Sequence, residues 1–272
     1  MDLIIYWYGF KKIFVDFNKI LSIYQNDILL MNHLFWSVLY YSNLSTLEKI
    51  YRERYKNLLN LFLNCINKNL YNTYSYFYSF SNNVIKQLII SKDIETFRKY
   101  LIDDKCVIST IPISKHIECS NIIVNDIRML NSQHKPIIIP FQLKNCVFNL
   151  LLKKININEF FIMRAIVYLD SLLIENKLNL LISTYDIIPL HHEYGFVEMI
   201  PDSVTLFYIK NIKKMSIQNY ILEQNKIDYH VFKNNITRSL AGYCILQYFL
   251  GIGDRHNENI LITSTACIFH VD

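Results

Sequence analysis

Apolar and polar positions repeat with two different periods along the chain. Up to about residue 105, apolar residues recur at intervals of three and four, as in Leu34, Phe35 and Val38, which is the spacing of one buried helix face. Ser45 and Glu48 have the spacing of a capping box for a second helix. From about residue 106 the pattern changes to short β-prone runs separated by polar joints. The chain is therefore predicted to be helical first and mixed afterwards.

The mixed region contains one clear helix among its strand candidates. Residues 156–175 carry an apolar stripe, with strands expected on both sides. Helices are expected again from Ser216 and then over residues 237–251. The C-terminal residues predict a hairpin with Ile260–Thr263 and Cys267–Val271 as its arms.

Composition narrows the class of protein. With 272 residues, 52% of them hydrophobic, the chain has ample material for a globular core. The net charge is +5, and the positive residues are spread along the chain, with no run longer than a pair such as Lys213 and Lys214. Nucleic acid is therefore not expected as a partner, while weak attraction to an anionic membrane is allowed. The cysteines form no CxxC pair, and we expect reduced thiols in a cytosolic protein without a membrane span or signal peptide.

A polar loop with the sequence Asp-Arg-His-Asn-Glu-Asn, from Asp254 to Asn259, precedes the predicted hairpin. Both arms of the hairpin have similar lengths, so Asn259 and Asp272 are expected to return to the same open end. Their amide and carboxylate oxygens suit a magnesium ion that bridges nucleotide phosphates. Protein kinases have an Asp, a metal-binding Asn five positions later and a metal-binding Asp beyond a hairpin. The spacing therefore predicts a phosphoryl-transfer site.

The string GIGDRHNENILI followed by IFHVD resembles the catalytic loop and the start of the metal-binding motif in the phosphatidylinositol 3- and 4-kinase family. The stretches SLAGYCILQYFLGIGDRH, YDIIPLHHEYGFVEMIPDS, SIQNYI and NHLFW resemble the same family in order and spacing. The resemblance is strong from about residue 165 and weak before about residue 105. Within the family, the class III phosphatidylinositol 3-kinases are the most similar.

The resemblance implies catalytic and metal-binding roles. His256 is implied as the general base for the inositol hydroxyl, because a histidine accepts a proton close to neutral pH. Asp254 would orient it or share that role, and Arg255 belongs to the same catalytic set. Asn259 and Asp272 are implied as ligands of Mg²⁺ or Mn²⁺.

The resemblance also implies ATP-binding residues. Backbone groups of Glu198 and Ile200, at a strand end, would contact adenine, and Tyr185 would line the same pocket. Ser132 begins a Ser-x-x-x-Pro turn whose backbone N–H groups would cover the phosphates.

One segment, VFNLLLKKININEFF, departs from the family pattern. The family has a phosphate-binding lysine followed by Asp-Asp-Leu-Arg-Gln-Asp. An ungapped alignment puts Leu151 at the lysine position, whereas a two-residue deletion puts Lys153 there and Glu159 at the final acid. We take Lys153 as the phosphate-binding residue, while Lys154, or no functional lysine, stays open.

The implied fold is α+β. A helical accessory domain is expected over residues 1–105, a kinase N-lobe over 106–203 and the start of a kinase C-lobe over 204–272. The sequence stops at Asp272, before the Phe-Gly and the activation loop that select the lipid headgroup in the family. We therefore expect an incomplete C-lobe, from a fragment or a degenerate protein, with weak or no activity by itself.

The implied function is transfer of the γ-phosphate of ATP to the 3-hydroxyl of phosphatidylinositol. The resemblance implies a cytoplasmic location, peripheral on endosomal or autophagic membranes, and partners that are a regulatory protein-kinase-like subunit and a coiled-coil protein. Two alternatives stay open. One is a related serine/threonine protein kinase, and the other is a non-catalytic kinase-fold scaffold, which the departure at the lysine favours.

Overall fold

The N-terminal helical pattern produces helices Ile28–Asn43 (α1), Lys49–Cys65 (α2), Lys68–Ser91 (α3) and Ile94–Asp103 (α4). The structure, a computed structural model, describes residues 26–91, 93–103, 109–113, 117–130, 135–190 and 194–271, together with Lys19 and Ile23. Asp27 caps α1 by accepting a hydrogen bond from the Leu30 N–H. Helix α2 begins directly after Glu48, whose side chain makes no cap bond. The predicted capping box of Ser45 and Glu48 is therefore wrong, because Glu48 is itself the N-cap residue.

The β-prone runs form antiparallel strands in the first compact unit, which comprises Met1–Ile157 and Asp186–Glu198. The strands are Thr110–Ile111 (β1), Ile117–Glu118 (β2), Asn121–Ile122 (β3), Arg128–Met129 (β4), Ile137–Gln142 (β5), Val147–Lys154 (β6), Ile187–Pro189 (β7) and Tyr194–Glu198 (β8). Their order in the main sheet is β3-β5-β6-β8-β7, and β4 also pairs with β5. Strands β1 and β2 form a separate pair.

Helices and main sheet share one hydrophobic core in this first unit. Phe77 and Phe80 of α3 lie against Phe196 of β8, with ring centroids 5.7 and 6.4 Å apart. The indole N–H of Trp36 on α1 donates to the carbonyl of Pro112 over 3.2 Å. Each fully buried aromatic ring contributes about 2 kcal/mol through burial alone. The helical region and the strands are thus packed together. The division of the chain into three domains at residues 105 and 203 stays a prediction.

The second unit comprises Asn158–Tyr185 and the residues from Met199 onward. Asp228 accepts from the His230 N–H over 2.7 Å and caps the longest helix of this unit, which therefore begins eight residues before the predicted start at 237. The elements are Ile157–Glu175 (α5), Ser203–Thr205 (β9), the π-helical turn Tyr208–Ile212, Ile217–Asn225 (α6), Tyr229–Leu250 (α7), Ile260–Thr263 (β10) and Ile268–His270 (β11). The three strands form one sheet in the order β11-β10-β9.

This mixture of helices and sheets confirms the predicted α+β class. Within the described ranges, no helix is long and apolar enough to cross a membrane.

Candidate active site

The loop from Asp254 to Asn259 follows directly from the end of α7. The helix ends at Gly251, which has a φ of +67°, a left-handed conformation that glycine adopts at little cost. The Ile252 N–H then donates to the Gln247 carbonyl over 3.0 Å. Asp254 also has a positive φ, of +56°, and Asp is among the residues that tolerate this region. These two turns lead the chain from the helix into the polar loop.

The predicted hairpin is present, with β10 and β11 as its arms. Ile260 lies opposite His270 and Ile262 lies opposite Ile268. Beyond this register, the Val271 N–H donates to the Asn259 carbonyl over 3.0 Å. The described chain therefore returns to Asn259, which confirms the direction of the hairpin. Asp272 lies outside the described residues, so its place beside Asn259 stays a prediction.

Asn259 is held by the loop that precedes it. Its Nδ2 donates to the Asp254 carbonyl over 3.1 Å, and its backbone N–H donates to the His256 carbonyl over 3.0 Å. An amide that donates through Nδ2 keeps its Oδ1 as an acceptor. These two bonds fix the orientation of the oxygen that was predicted to bind metal.

His256 is exposed and contacts Glu258. The Glu258 N–H donates to His256 Nδ1 over 3.2 Å, and Glu258 Oε2 lies 4.0 Å from the same nitrogen. Because an accepting Nδ1 carries no proton, the neutral ring in this arrangement is protonated at Nε2. The nitrogen that can accept a proton is therefore Nδ1, which on protonation would face the Glu258 carboxylate.

Arg255 connects the loop to the end of the hairpin. Its Nε donates to the Gly253 carbonyl over 2.6 Å and a terminal nitrogen donates to the Val271 carbonyl over 2.9 Å. Hydrogen bonds from a charged guanidinium are stronger than neutral ones. Arg255 thus supports the position of the chain that leads to Asp272.

A buried polar pair, which the sequence did not suggest, lies behind the loop. The Gln247 side-chain amide on α7 is hydrogen-bonded to His270 Nδ1 on β11. His270 is 8% exposed, and its Nε2 is buried without a hydrogen-bond partner among the described residues. Burial, with a smaller contribution from Arg255, lowers the pKa of His270 to about 4. The ring is therefore neutral near pH 7.

Tyr185 and the loop meet around a small cavity in the second unit. The cavity has a volume of about 60 Å³, and its lining includes Tyr185, Arg255 and His270. Small-molecule sites usually occupy at least about 300 Å³, so this space is a gap behind the loop and not a nucleotide pocket. The structure thus brings together Tyr185, predicted to contact ATP, and Arg255, predicted to act in catalysis.

Lys153 lies on β6 in the first unit, opposite Gly195 of β8. It is half-buried and shares a strand face with Leu151, two residues before it, whereas Lys154 is exposed and belongs to the alternate face. Lys153 therefore occupies the same face as the residue that an ungapped alignment puts at the lysine position.

Glu198 ends β8 in the first unit. Its backbone N–H donates to the Asp186 carbonyl over 2.8 Å, and its carboxylate accepts from the Asp186 N–H over 2.9 Å. Burial raises the pKa of Glu198, and the neighbouring Asp186 carboxylate adds to the rise. Because the backbone N–H of Glu198 is already hydrogen-bonded to Asp186, its backbone carbonyl is the group that would contact a ligand. Ile200, in the second unit, accepts from the Ser203 hydroxyl over 2.7 Å through its carbonyl.

The predicted phosphate turn lies mostly outside the described residues, and Ser132 is among those left out. The flanking strands are described. Arg128 pairs with Ile138 across β4 and β5, and the Leu130 N–H donates to the Pro136 carbonyl over 2.8 Å. The segment that contains Ser132 therefore connects two adjacent antiparallel strands.

The part of the chain that contains the polar loop from Asp254 to Asn259 is similar to known proteins. Residues 158–272 match the family model described as phosphatidylinositol 3- and 4-kinase. The predicted family resemblance is confirmed over these residues. We call the matched residues 158–272 the kinase region; they include Tyr185, the loop and the hairpin.

Curated relatives agree with this assignment. Phosphatidylinositol 3-kinase piki-1 of Caenorhabditis elegans is 29% identical over 173 residues, which cover 60% of this chain and 11% of the relative. Phosphatidylinositol 3-kinase pik3 of Schizosaccharomyces pombe is 35% identical over 120 residues, which cover 41% of this chain and 15% of the relative. The mouse phosphatidylinositol 3-kinase C2 domain-containing subunit gamma is 32% identical over 119 residues, 40% of this chain and 8% of the relative. The chain thus spans a small part of each relative's length.

Proposed function

We propose that the kinase region belongs to an ATP-dependent lipid kinase that phosphorylates phosphatidylinositol at its 3-hydroxyl. The observation that carries the proposal is the return of the hairpin to Asn259, through the Val271 N–H bond of 3.0 Å. This bond supports a site in which the loop from Asp254 to Asn259 and the predicted metal ligand Asp272 act on one nucleotide. The names of the relatives support phosphatidylinositol as the substrate and the 3-hydroxyl as the acceptor.

The residues present fit a divalent cation. Asn259 keeps Oδ1 as an acceptor, because its Nδ2 is already bonded to Asp254. Magnesium is usually held by one or two protein oxygens together with phosphate oxygens and water, so Asn259 and Asp272 would suffice as protein ligands. When bound, Mg²⁺ or Mn²⁺ would neutralise negative charge on the phosphates of ATP.

His256 would remove the proton from the inositol hydroxyl. The available atom is Nδ1, which would exchange its bond to the Glu258 N–H for the substrate proton. The Glu258 carboxylate, 4.0 Å away, would then face a positively charged ring, although such an exposed pair adds at most about 1 kcal/mol. Asp254 orients Asn259 through its carbonyl, and Arg255 positions the hairpin.

For the nucleotide, we propose Lys153 as the residue that contacts the phosphates. Its strand face is shared with Leu151 and is not that of Lys154. Ser132, Tyr185, the Glu198 carbonyl and the Ile200 backbone would complete the ATP site. These assignments rest on the family resemblance and on the local contacts of each residue.

The test measures transfer of label from γ-labelled ATP to phosphatidylinositol vesicles, followed by identification of the phosphorylated position on the headgroup. The wild-type chain is expected to be weakly active by itself, and the labelled lipid that it forms in the presence of Mg²⁺ should carry the phosphate at the 3-position. Asn259→Ala should lower the rate at least one hundredfold, since a metal ligand acts mainly in the transition state. Asn257→Ala is the matched control, because Asn257 is exposed and accepts the Phe207 N–H bond through its backbone carbonyl, which the substitution keeps. Label in protein but not lipid, or equal rates in both variants, would contradict the proposal.

A non-catalytic scaffold is the second candidate. The departure of the sequence at the phosphate-binding lysine favours it. A scaffold would show neither Mg²⁺-dependent ATP binding nor labelled lipid. A chain that binds ATP but forms no labelled lipid would instead have kept the nucleotide site and lost the phosphoryl-transfer step.

The location on endosomal or autophagic membranes, the regulatory protein-kinase-like subunit and the coiled-coil partner are proposed from the resemblance. Co-purification of the tagged chain with such a subunit from its own cells would support them.

A further inference from the structure

The segment between β9 and α6 combines positive charge with exposed apolar side chains. Residues 203–222 contain Lys210, Lys213 and Lys214 and no Asp or Glu. All three lysines are exposed. They lie within five consecutive residues, with Lys210 in the π-helical turn Tyr208–Ile212 and Lys213 and Lys214 directly after it.

The same segment also exposes two large apolar side chains to solvent. Ile212 is 62% exposed and Phe207 is 36% exposed, whereas Leu206 and Ile209 are buried in the core of the second unit. The buried residues hold the backbone, while Ile212 and Phe207 face water. We call Phe207, Ile212 and the three lysines the basic apex.

The basic apex is held in a defined conformation. The Tyr208 N–H donates to the Thr205 hydroxyl over 3.1 Å, and the Met215 N–H donates to the Ile209 carbonyl over 3.1 Å. Lys213 Nζ lies 5.6 Å from the centre of the Tyr208 ring, within the range of a cation–π contact. A surface that is ordered before binding loses less conformational entropy when it binds.

The basic apex is hydrogen-bonded to the candidate active site. The Phe207 N–H donates to the carbonyl of Asn257 over 2.9 Å, and Asn257 lies within the loop that holds His256 and Asn259. A surface bound by the apex would therefore lie near the loop. This proximity matters for a kinase whose substrate headgroup protrudes from a membrane.

We propose that the basic apex binds the surface of a membrane that contains anionic lipids, an inference that rests on the proposed function for its biological purpose. Lysine side chains place their charge among anionic headgroups, and their alkyl chains reach across the interface. Exposed Ile212 and Phe207 insert into the headgroup region, as the apolar face of an interfacial segment does. Nucleic acid is disfavoured, because a phosphate backbone offers nothing for Ile212 to contact.

The test is sedimentation of the full chain with vesicles of phosphatidylcholine, with and without phosphatidylserine, in the absence of ATP and phosphatidylinositol. Wild type should bind the anionic vesicles, and added salt should weaken the binding. Replacing the three apex lysines by Gln should weaken binding about one hundredfold, at about fivefold for each lysine. The matched control replaces three exposed helical lysines of the first unit by Gln: Lys49, Lys68 and Lys86.

Both triple variants remove three charges from the same net charge of +5. The control should weaken binding less than about threefold, since its lysines are not part of the basic apex and contribute only through the net charge, whose field is screened within about 8 Å at physiological salt. Equal losses in the two variants would contradict the proposal, because attraction would then depend on net charge alone.

Ile212→Ser tests insertion separately from charge. It should weaken binding to anionic vesicles on the order of tenfold, in line with withdrawal of one large aliphatic side chain from the interface. Unchanged binding, or binding to DNA in preference to vesicles, would overturn a membrane assignment. Because no catalytic step is measured, these outcomes are independent of whether the chain phosphorylates lipid.

Discussion

Acidification should destabilise the second unit through His270. The ring is 8% exposed and neutral, with Nδ1 bonded to the Gln247 amide. Its folded-state pKa of about 4 lies below the ordinary value of 6.5. Between these values the unfolded chain binds a proton that the folded chain does not, so stability falls as pH falls from about 6.5 to about 4. Below the folded pKa the loss is complete.

The size of this effect follows from the pKa difference. One pKa unit corresponds to about 1.4 kcal/mol, so the fall from 6.5 to about 4 corresponds to a loss of about 3 kcal/mol. Arg255 increases the cost of the charged ring, but burial is the larger cause. The loss is a large fraction of the stability of a typical domain.

The assay is urea unfolding followed by circular dichroism at a series of pH values, for wild type and His270→Asn. The Asn side chain keeps an acceptor near the position of Nδ1 for Gln247, but it does not titrate. The difference between the two unfolding free energies should change by about 3 kcal/mol across this pH range. Parallel curves would show that His270 is not buried as a neutral ring, which would refute the reasoning.

Substitutions at Gly195, Lys153 and Lys154 test the first unit. Gly195→Ala should lower the free energy of unfolding by about 2 kcal/mol in thermal denaturation, because an added Cβ would overlap Ile155 Cδ1 and lie 2.9 Å from the Ile188 carbonyl oxygen. A stability within error of wild type would show that the strands have room there. Lys153→Met should weaken ATP binding at least tenfold in calorimetry while Lys154→Met changes it less than twofold, since only Lys153 shares the face of the predicted position. The opposite ranking would transfer the assignment to Lys154.

The hairpin was predictable from local pattern alone. Two β-prone runs of similar length, separated by Ser264-Thr265-Ala266, must bring their outer ends together. The register and the Val271 bond agree with this expectation. The start of α7 could also have been predicted, because Asp228 is a strong N-cap residue. The apolar periodicity by itself placed the start of this helix at residue 237.

The Gln247 and His270 pair was not predictable in the same way. Gln247 lies on a helix whose neighbours Tyr248 and Phe249 are 93% and 72% exposed, so a polar residue at this position reads as a surface residue. Its partner is on a strand that follows the loop, and only the packing of α7 against β11 brings them together. The basic apex was not predicted, because the sequence does not show that Phe207 and Ile212 are exposed while the neighbouring Leu206 and Ile209 are buried.

A double-mutant cycle on ATP affinity tests most directly whether the loop and the returning strand hold one cation. Calorimetry would compare wild type, Asn259→Ala, Asp272→Asn and the double variant, with and without Mg²⁺. If both side chains bind the same ion, the two losses should be non-additive by at least about 1 kcal/mol in Mg²⁺ and additive without it. Additive losses in both conditions, or affinity that does not depend on Mg²⁺, would contradict the account.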